Sequence, residues 1–498
     1  MLVLGDLHIG GTVAGLSGNG LVLQDNGRDN LSIVGNGSFT FPTAAPSGGS
    51  YAVTAFAQPF NQTCTVSKGS GTASTNVNSV QVTCVSSEQV LYSFGQAPDG
   101  KYPSANLVFD KAGNLYGTTA QGGAFGYGTV FKLTENQGQW NETVLYSFCQ
   151  QGQYCSDGAG PNSSLVIDAA GDLYGTTLGG GAYGDTGGGA LGDGVVFELS
   201  PQPGGTWTET VLHSFGNGND GIAPFAGLVF DKAGNLYGTT FRGGTSVPSV
   251  CPDSCGTVFE LSPGSNSQWT EKVIYIFCSQ SDCADGASPA SQLIFDSTGN
   301  LYGTTQSGGS VAQHTNGTVF ELSPTQNGQW SEVVLYAFQG GADDGEFPEG
   351  GLAQDANGNL YGATQFGYSA PAGGANNGTV FKLTKGSQGQ WTETLINGFC
   401  SQANCDDGSQ PLAGVMLDQS GNVYGTTFMG GAFDWGVVYK LTAQNIGFWP
   451  ESILYAFEGA GDGFNPHAGL ILDNSGNLYG VAFQGGADGN GVVFKITP

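Results

Sequence analysis

Positive charge is scarce in this chain: 12 lysines and arginines stand against 40 aspartates and glutamates, a net charge of −28 over 498 residues. Nucleic acid and anionic membrane surfaces are bound through dense Lys and Arg, so neither partner is expected. The arginines are Arg28 and Arg242 alone, and a ligand rich in phosphate, sulfate or carboxylate would find few bidentate partners. Charge of either sign is thin, at 10% of residues against a usual quarter or so. No apolar run approaches the roughly 18 residues of a membrane helix, and no segment carries a helical period. Ser-His-Asp, metal-ligand and phosphate-loop motifs are missing as well. The opening Met1 to Leu7 has no basic region and too short an apolar run for a signal peptide. The cysteines described next point to export, so the natural N-terminus is expected to have been trimmed or to lie upstream. No anchor or sorting tail precedes Pro498.

Glycine and cysteine are abundant by contrast. The 87 glycines follow no collagen period and cluster as Gly-Gly and Asn-Gly between apolar runs, the mark of tight turns joining short strands. The ten cysteines fall into near neighbours: Cys64 with Cys84, Cys149 with Cys155, Cys251 with Cys255, Cys278 with Cys283, and Cys400 with Cys405. Even count and local pairing read as disulfides in an oxidising compartment. The spacings vary and no histidine stands near, so no metal is expected. Each short loop contributes about 2 kcal/mol by loop entropy, and the Cys64–Cys84 loop about 3 kcal/mol.

A run like Gly113-Asn-Leu-Tyr-Gly-Thr-Thr119 stands in seven copies, with tyrosines at 116, 174, 237, 302, 361, 424 and 479, and it departs to Gly362-Ala-Thr in copy five and Gly480-Val-Ala in copy seven. Each copy holds four apolar, β-prone runs separated by turn residues, which predicts four antiparallel strands and, in tandem, the blades of a propeller. The last copy ends after its third strand, while Val90-Leu-Tyr-Ser-Phe94 supplies a spare fourth strand. Residues 88–94 are therefore expected to pair with residues 491–497 and close a ring, removing free edges. The Gly after each Tyr is expected to permit close approach near the ring axis. Two aspartate sets recur, Asp110, Asp168, Asp231, Asp296, Asp355, Asp418 and Asp473 after Val-Phe-like pairs, and Asp99, Asp157, Asp220, Asp285, Asp344, Asp407 and Asp462 in Asp-Gly-x-x-Pro. Both read as turn residues accepting backbone N–H groups, not as cation sites.

Residues 1–85 share none of this. Six or seven short strands, with Cys64 and Cys84 stapling the last, suggest an immunoglobulin-like or transthyretin-like β-sandwich that serves as a spacer or adhesive module. The expected architecture is all-β: a sandwich over 1–85 and a seven-bladed propeller over 86–498.

The repeat Phe109-Asp-Lys-Ala-Gly-Asn-Leu-Tyr-Gly-Thr-Thr-Ala-Gln-Gly-Gly-Ala-Phe-Gly-Tyr-Gly-Thr-Val-Phe-Lys-Leu-Thr134 resembles the GloVer tandem repeat of bacterial exported proteins, over about residues 88–498. The resemblance implies an exported, surface-associated protein and carries no established activity.

Departures from the repeat on one propeller face mark candidate ligand contacts: Lys101, Tyr102, Phe225, Arg242 and Trp435, together with Tyr127, Tyr183, Asp185, His314, Tyr368 and Phe433. Aromatics beside carboxylates suit sugar rings, whose C–H faces stack while their hydroxyls seek acceptors. A monomeric binding or scaffold protein at the bacterial surface, holding a glycan or protein and using no cofactor, is the reading favoured by the mildness of the departures. The alternative is a polysaccharide-cleaving hydrolase or lyase using Glu346, Glu349 or His467 as acid and base. His213, standing where other copies have tyrosine, reads as structural.

Overall fold

A computed structural model describes residues 7–498, except 152–153, 184–191, 245–250, 252–254, 266–267, 310–315, 370–376, 446 and 460. Asp185 and His314 lie outside the described residues. The chain forms two compact units, Met1–Gln89 with Ile496–Pro498, and Val90–Lys495. Both are built from strands, with brief 3-10 turns at Ser281–Cys283 and Ala403–Cys405.

The smaller unit holds two four-stranded sheets. One orders Gly37–Thr40, Ile9–Ala14, Val77–Ser86 and Gln62–Ser67; the other orders Asp29–Ser32, Val22–Asp25, Gly49–Ala57 and Ser70–Ala73. Alternation decides the buried face: Tyr51 and Val53, and Val80 and Val82, are buried while Ala52, Thr54 and Gln81 between and beside them are exposed. Ile9, Leu23, Phe41, Val53, Val80 and Val82 share one core. Ile9–Ala14 runs parallel to Val77–Ser86, a pairing that no local signal in the sequence announces. Cys64 lies directly opposite Cys84 in register, and the two are bonded.

The larger unit repeats one antiparallel sheet. In the first copy the order is Val108–Phe109, Leu115–Thr119, Thr129–Asn136 and Gln139–Ser147. The first strand ends at Phe109 because the aspartate after it turns the chain at once. Asp110 Oδ1 accepts the Ala112 and Asn114 amides, and Oδ2 accepts Asn114 Nδ2 and the Tyr116 hydroxyl. The second strand is buried along its whole length, since neighbouring copies cover both faces. The last copy orders Ile471–Leu472, Leu478–Ala482, Val492–Ile496 and then Glu88–Ser93, so the fourth strand comes from the other end of the repeat region.

The Gly after Tyr serves packing within its own sheet. A Cβ on Gly117 would lie 2.6 Å from the Phe131 ring and 3.0 Å from Leu107, and Gly175, Gly238, Gly303, Gly362 and Gly480 face their own third-strand phenylalanines in the same way. Those phenylalanines then join consecutive copies. Phe148 meets Phe197 edge-on with centroids 5.0 Å apart, and Phe215–Phe259, Phe277–Phe320 and Phe338–Phe381 repeat the contact at 5.1 Å. Buried threonines add hydrogen bonds between copies: Thr118 donates to the Ser163 carbonyl, Thr176 to that of Ala226, and Thr426 to that of Ala468.

Candidate functional site

Each Asp-Gly-x-x-Pro turn delivers the chain into a three-residue segment before the first strand. Seven such segments, one from each copy, line a single cavity of about 170 Å³. The position after proline is occupied by Ser104, Asn162, Phe225, Ala290, Glu349, Leu412 and His467, no two alike. Two positions on stand Asn106, Ser164, Gly227, Gln292, Gly351, Gly414 and Gly469. Here the backbones crowd: a Cβ on Gly350 would lie 2.3 Å from the Gly414 nitrogen, and one on Gly414 2.6 Å from the Gly351 oxygen. The wall is tied by polar contacts between copies. Ser104 Oγ donates to Asn162 Oδ1, the Asn106 amide to Ser164 Oγ at 3.1 Å, and Gln292 Nε2 to the Leu228 carbonyl at 2.8 Å. The Gly469 amide donates to Asn106 Oδ1 at 2.7 Å, across 363 residues of sequence.

Two titratable groups open onto this cavity. Burial raises the Glu349 carboxyl, while the hydrogen bond donated by Gln306 Nε2 works against that rise. Burial lowers His467 and favours the neutral imidazole. His467 sits among aromatics: Phe428 at 6.0 Å and Phe483 at 5.7 Å, with Tyr102 stacked on Phe483 at 5.1 Å. No Lys or Arg lines the cavity among the described residues. The arrangement can donate and accept hydrogen bonds with a neutral, hydroxyl-rich ligand, and it offers an anion no counter-charge.

Of the residues expected from sequence, Phe225, Glu349 and His467 line the cavity, and Tyr102 joins the aromatic row beside His467. Trp435 packs on Phe464 at 4.8 Å and is 40% exposed. Glu346 is not a lining residue: its Oε1 accepts the Gly341 amide at 2.9 Å. Lys101 pairs through its backbone with Gln121, and Arg242 likewise with Ile222. Tyr127, Tyr183 and Phe433 are exposed loop aromatics, whereas Tyr368 covers Gly398. Ser104, Asn106, Asn162, Ser164 and Gln292 were not anticipated. Their signal was the loss of repetition in the triplet after each Pro.

A second polar constellation repeats between copies. Tyr146 donates to Asp157 Oδ2 at 2.9 Å, as do Tyr92 to Asp99 and Tyr336 to Asp344. His213 takes the tyrosine's place against Asp220 at 3.1 Å. A glutamate from the following copy approaches each such aspartate. Burial first, and then the facing aspartate, push Glu142 up to about 7 and Glu209 to about 8. Glu332 and Glu393 reach about 7, and Glu451 about 8, for the same two reasons. Recurrence at successive interfaces marks these acids as structural. A groove of about 540 Å³ between Phe230 and Phe295, floored by Tyr237 and Trp330, likewise reuses the repeated Tyr–Trp packing.

All ten cysteines are disulfide-bonded in the expected pairs. Among the described residues, no helix is long and apolar enough to cross a membrane.

The sequence profile of a Gloeobacter/Verrucomicrobia repeat matches residues 64–191, 185–402 and 370–498. No curated protein matches. Among solved structures, the chain is similar to a putative 6-phosphogluconolactonase from Bacteroides uniformis ATCC 8492, at 14% identity and a TM-score of 0.44, over 74% of this chain and 88% of that one.

Proposed function

The chain belongs to the Gloeobacter/Verrucomicrobia repeat family, and from that premise we propose that it is an extracytoplasmic binding protein: a seven-bladed β-propeller, with an N-terminal β-sandwich, that holds the end of a neutral glycan in its axial cavity. The observation that carries this reading is the cavity itself, to which every copy of the repeat contributes a different side chain. Its volume is below the roughly 300–1,000 Å³ of ordinary small-molecule sites, which suits one terminal sugar ring and not a long chain. Asn, Ser and Gln groups meet hydroxyls there, and the His467–Phe483–Tyr102 row offers a stacking edge. Five disulfides support export.

Glu349 favours one rival reading. A carboxyl raised by burial beside a neutral imidazole is the equipment of general acid–base chemistry, and a polysaccharide-cleaving enzyme would use it so. The test is calorimetric titration with neutral and acidic oligosaccharides, run with a parallel assay for new reducing ends. Binding of a neutral glycan, weakened about tenfold or more by Glu349→Gln or His467→Ala and without reducing ends, is expected. Release of reducing ends that is abolished by Glu349→Gln would replace binding with catalysis. Failure of both, with the substitutions leaving every titration unchanged, would remove the cavity as a site.

A further inference from the structure

Four cysteines converge at one place in the larger unit. Cys251 and Cys255 stand between the strands Leu236–Thr240 and Thr257–Pro263, while Cys278 and Cys283 stand in the link after Trp269–Ile276. Their relative exposures are 5%, 0%, 6% and 1%, and all four sulfurs lie within 4.8 Å of one another. Cys251 Sγ and Cys278 Sγ, which belong to different disulfides, are 3.7 Å apart. A tetrahedral zinc site with Zn–S of about 2.3 Å holds its sulfurs about 3.8 Å apart. The segments Cys251-Pro-Asp-Ser-Cys255 and Cys278-Ser-Gln-Ser-Asp-Cys283 each fit the C-x₂₋₄-C spacing of structural zinc ligands. Ile274, Phe277, Ala287 and Leu293 share the core around them, so the sulfurs are shielded from water.

We propose that these four sulfurs form a metal-or-disulfide site, which binds one Zn²⁺ when the chain is reduced and closes as Cys251–Cys255 and Cys278–Cys283 when it is oxidised. In the reductive direction each disulfide takes two electrons and two protons from a dithiol, which leaves as its own disulfide. The four thiols then release four protons as Zn²⁺ adds to four thiolates. The expectation that no metal binds rested on varied spacings and the lack of a nearby histidine, whereas the fold places two cysteine pairs together. The links Cys149–Cys155 and Cys400–Cys405 have no second cysteine pair and serve as internal controls.

The full chain, reduced anaerobically with a dithiol or produced in a reducing cytoplasm, is titrated with Co²⁺ and then Zn²⁺. One Co²⁺ per chain is expected, with the strong visible bands of tetrahedral thiolate coordination, displaced by Zn²⁺. Cys251→Ser and Cys278→Ser should each abolish those bands, and the double change Cys149→Ser, Cys155→Ser should keep them. Because a reduced variant is open to misfolding, thermal unfolding of the unsubstituted reduced chain is followed with and without Zn²⁺. A raised midpoint, seen in the reduced form and not in the oxidised one, is expected. A reduced chain that neither takes up stoichiometric Co²⁺ nor gains thermal stability from Zn²⁺ would overturn the proposal, as would uptake that survives Cys251→Ser.

Discussion

At the scale of single residues, the copies act as controls for one another. Six copies carry phenylalanine in the middle of the third strand, and the sixth carries Tyr439. That ring keeps the inter-copy contact, with Phe399 5.0 Å away, but its hydroxyl is fully buried and has no hydrogen-bond partner among the described residues. An unsatisfied buried hydroxyl costs about 1–3 kcal/mol. Tyr439→Phe should therefore stabilise the protein by about 1 kcal/mol or more, read as a higher urea midpoint at unchanged slope; a lower midpoint would mean that the hydroxyl has a partner. Residue-level reading of the sequence succeeded where chemistry is local. The turn aspartates accept backbone amides as expected, and His213 reproduces the tyrosine contact. It had nothing to work from where partners come from different copies: no local signal sets Glu209 against Asp157, as the fold does.

At the scale of the element, strand positions were legible because turn chemistry and period-2 alternation punctuate them, and the recurring Tyr-Gly after Leu or Val marked the second strand in every copy. The role of its glycine was not legible, because the sequence does not say what stands above the Cα. Gly303 has no positive φ, yet a Cβ there would lie 2.7 Å from both the Phe320 ring and Leu293. Gly303→Ala should thus cost about 1–3 kcal/mol by overpacking, even though alanine is no worse a strand former. Equilibrium denaturation measures this, and the paired change Gly303→Ala with Phe320→Leu should recover part of the loss. A neutral single substitution would show that the strand shifts freely. The cavity-lining triplets belong to the same lesson: the loss of repetition was visible, but which loop residues face the cavity depends on the geometry of seven sheets.

At the scale of the whole molecule, the interfaces between copies set how stability responds to pH. Glu142, Glu209, Glu332, Glu393 and Glu451 have folded-state pKa values raised to about 7 or 8. The folded chain therefore keeps protons that the unfolded chain releases near pH 4.5. Stability should fall as pH rises from about 4.5 to about 8 and level off above, because in that window the folded state binds more protons. The turn aspartates act oppositely. Burial works to raise Asp110, Asp355, Asp418 and Asp473, but hydrogen bonds from the following turn hold them below their ordinary value, so their contribution is lost as pH falls through that depressed range. The two effects together place the optimum in mildly acidic solution, near pH 4 to 5. The interfacial acids are partly solvated, so the net loss between pH 5 and pH 8 is set at about 1–3 kcal/mol, well below the sum of the separate shifts. Urea unfolding at pH 5, 6.5 and 8 tests this, and Glu209→Gln should flatten the profile by removing one titrating group while leaving stability at pH 5 nearly unchanged. Stability that climbs steadily from pH 5 to pH 8 would show that the interfacial glutamates are ionised and hydrated in the folded protein, and that the joints between copies are held without them.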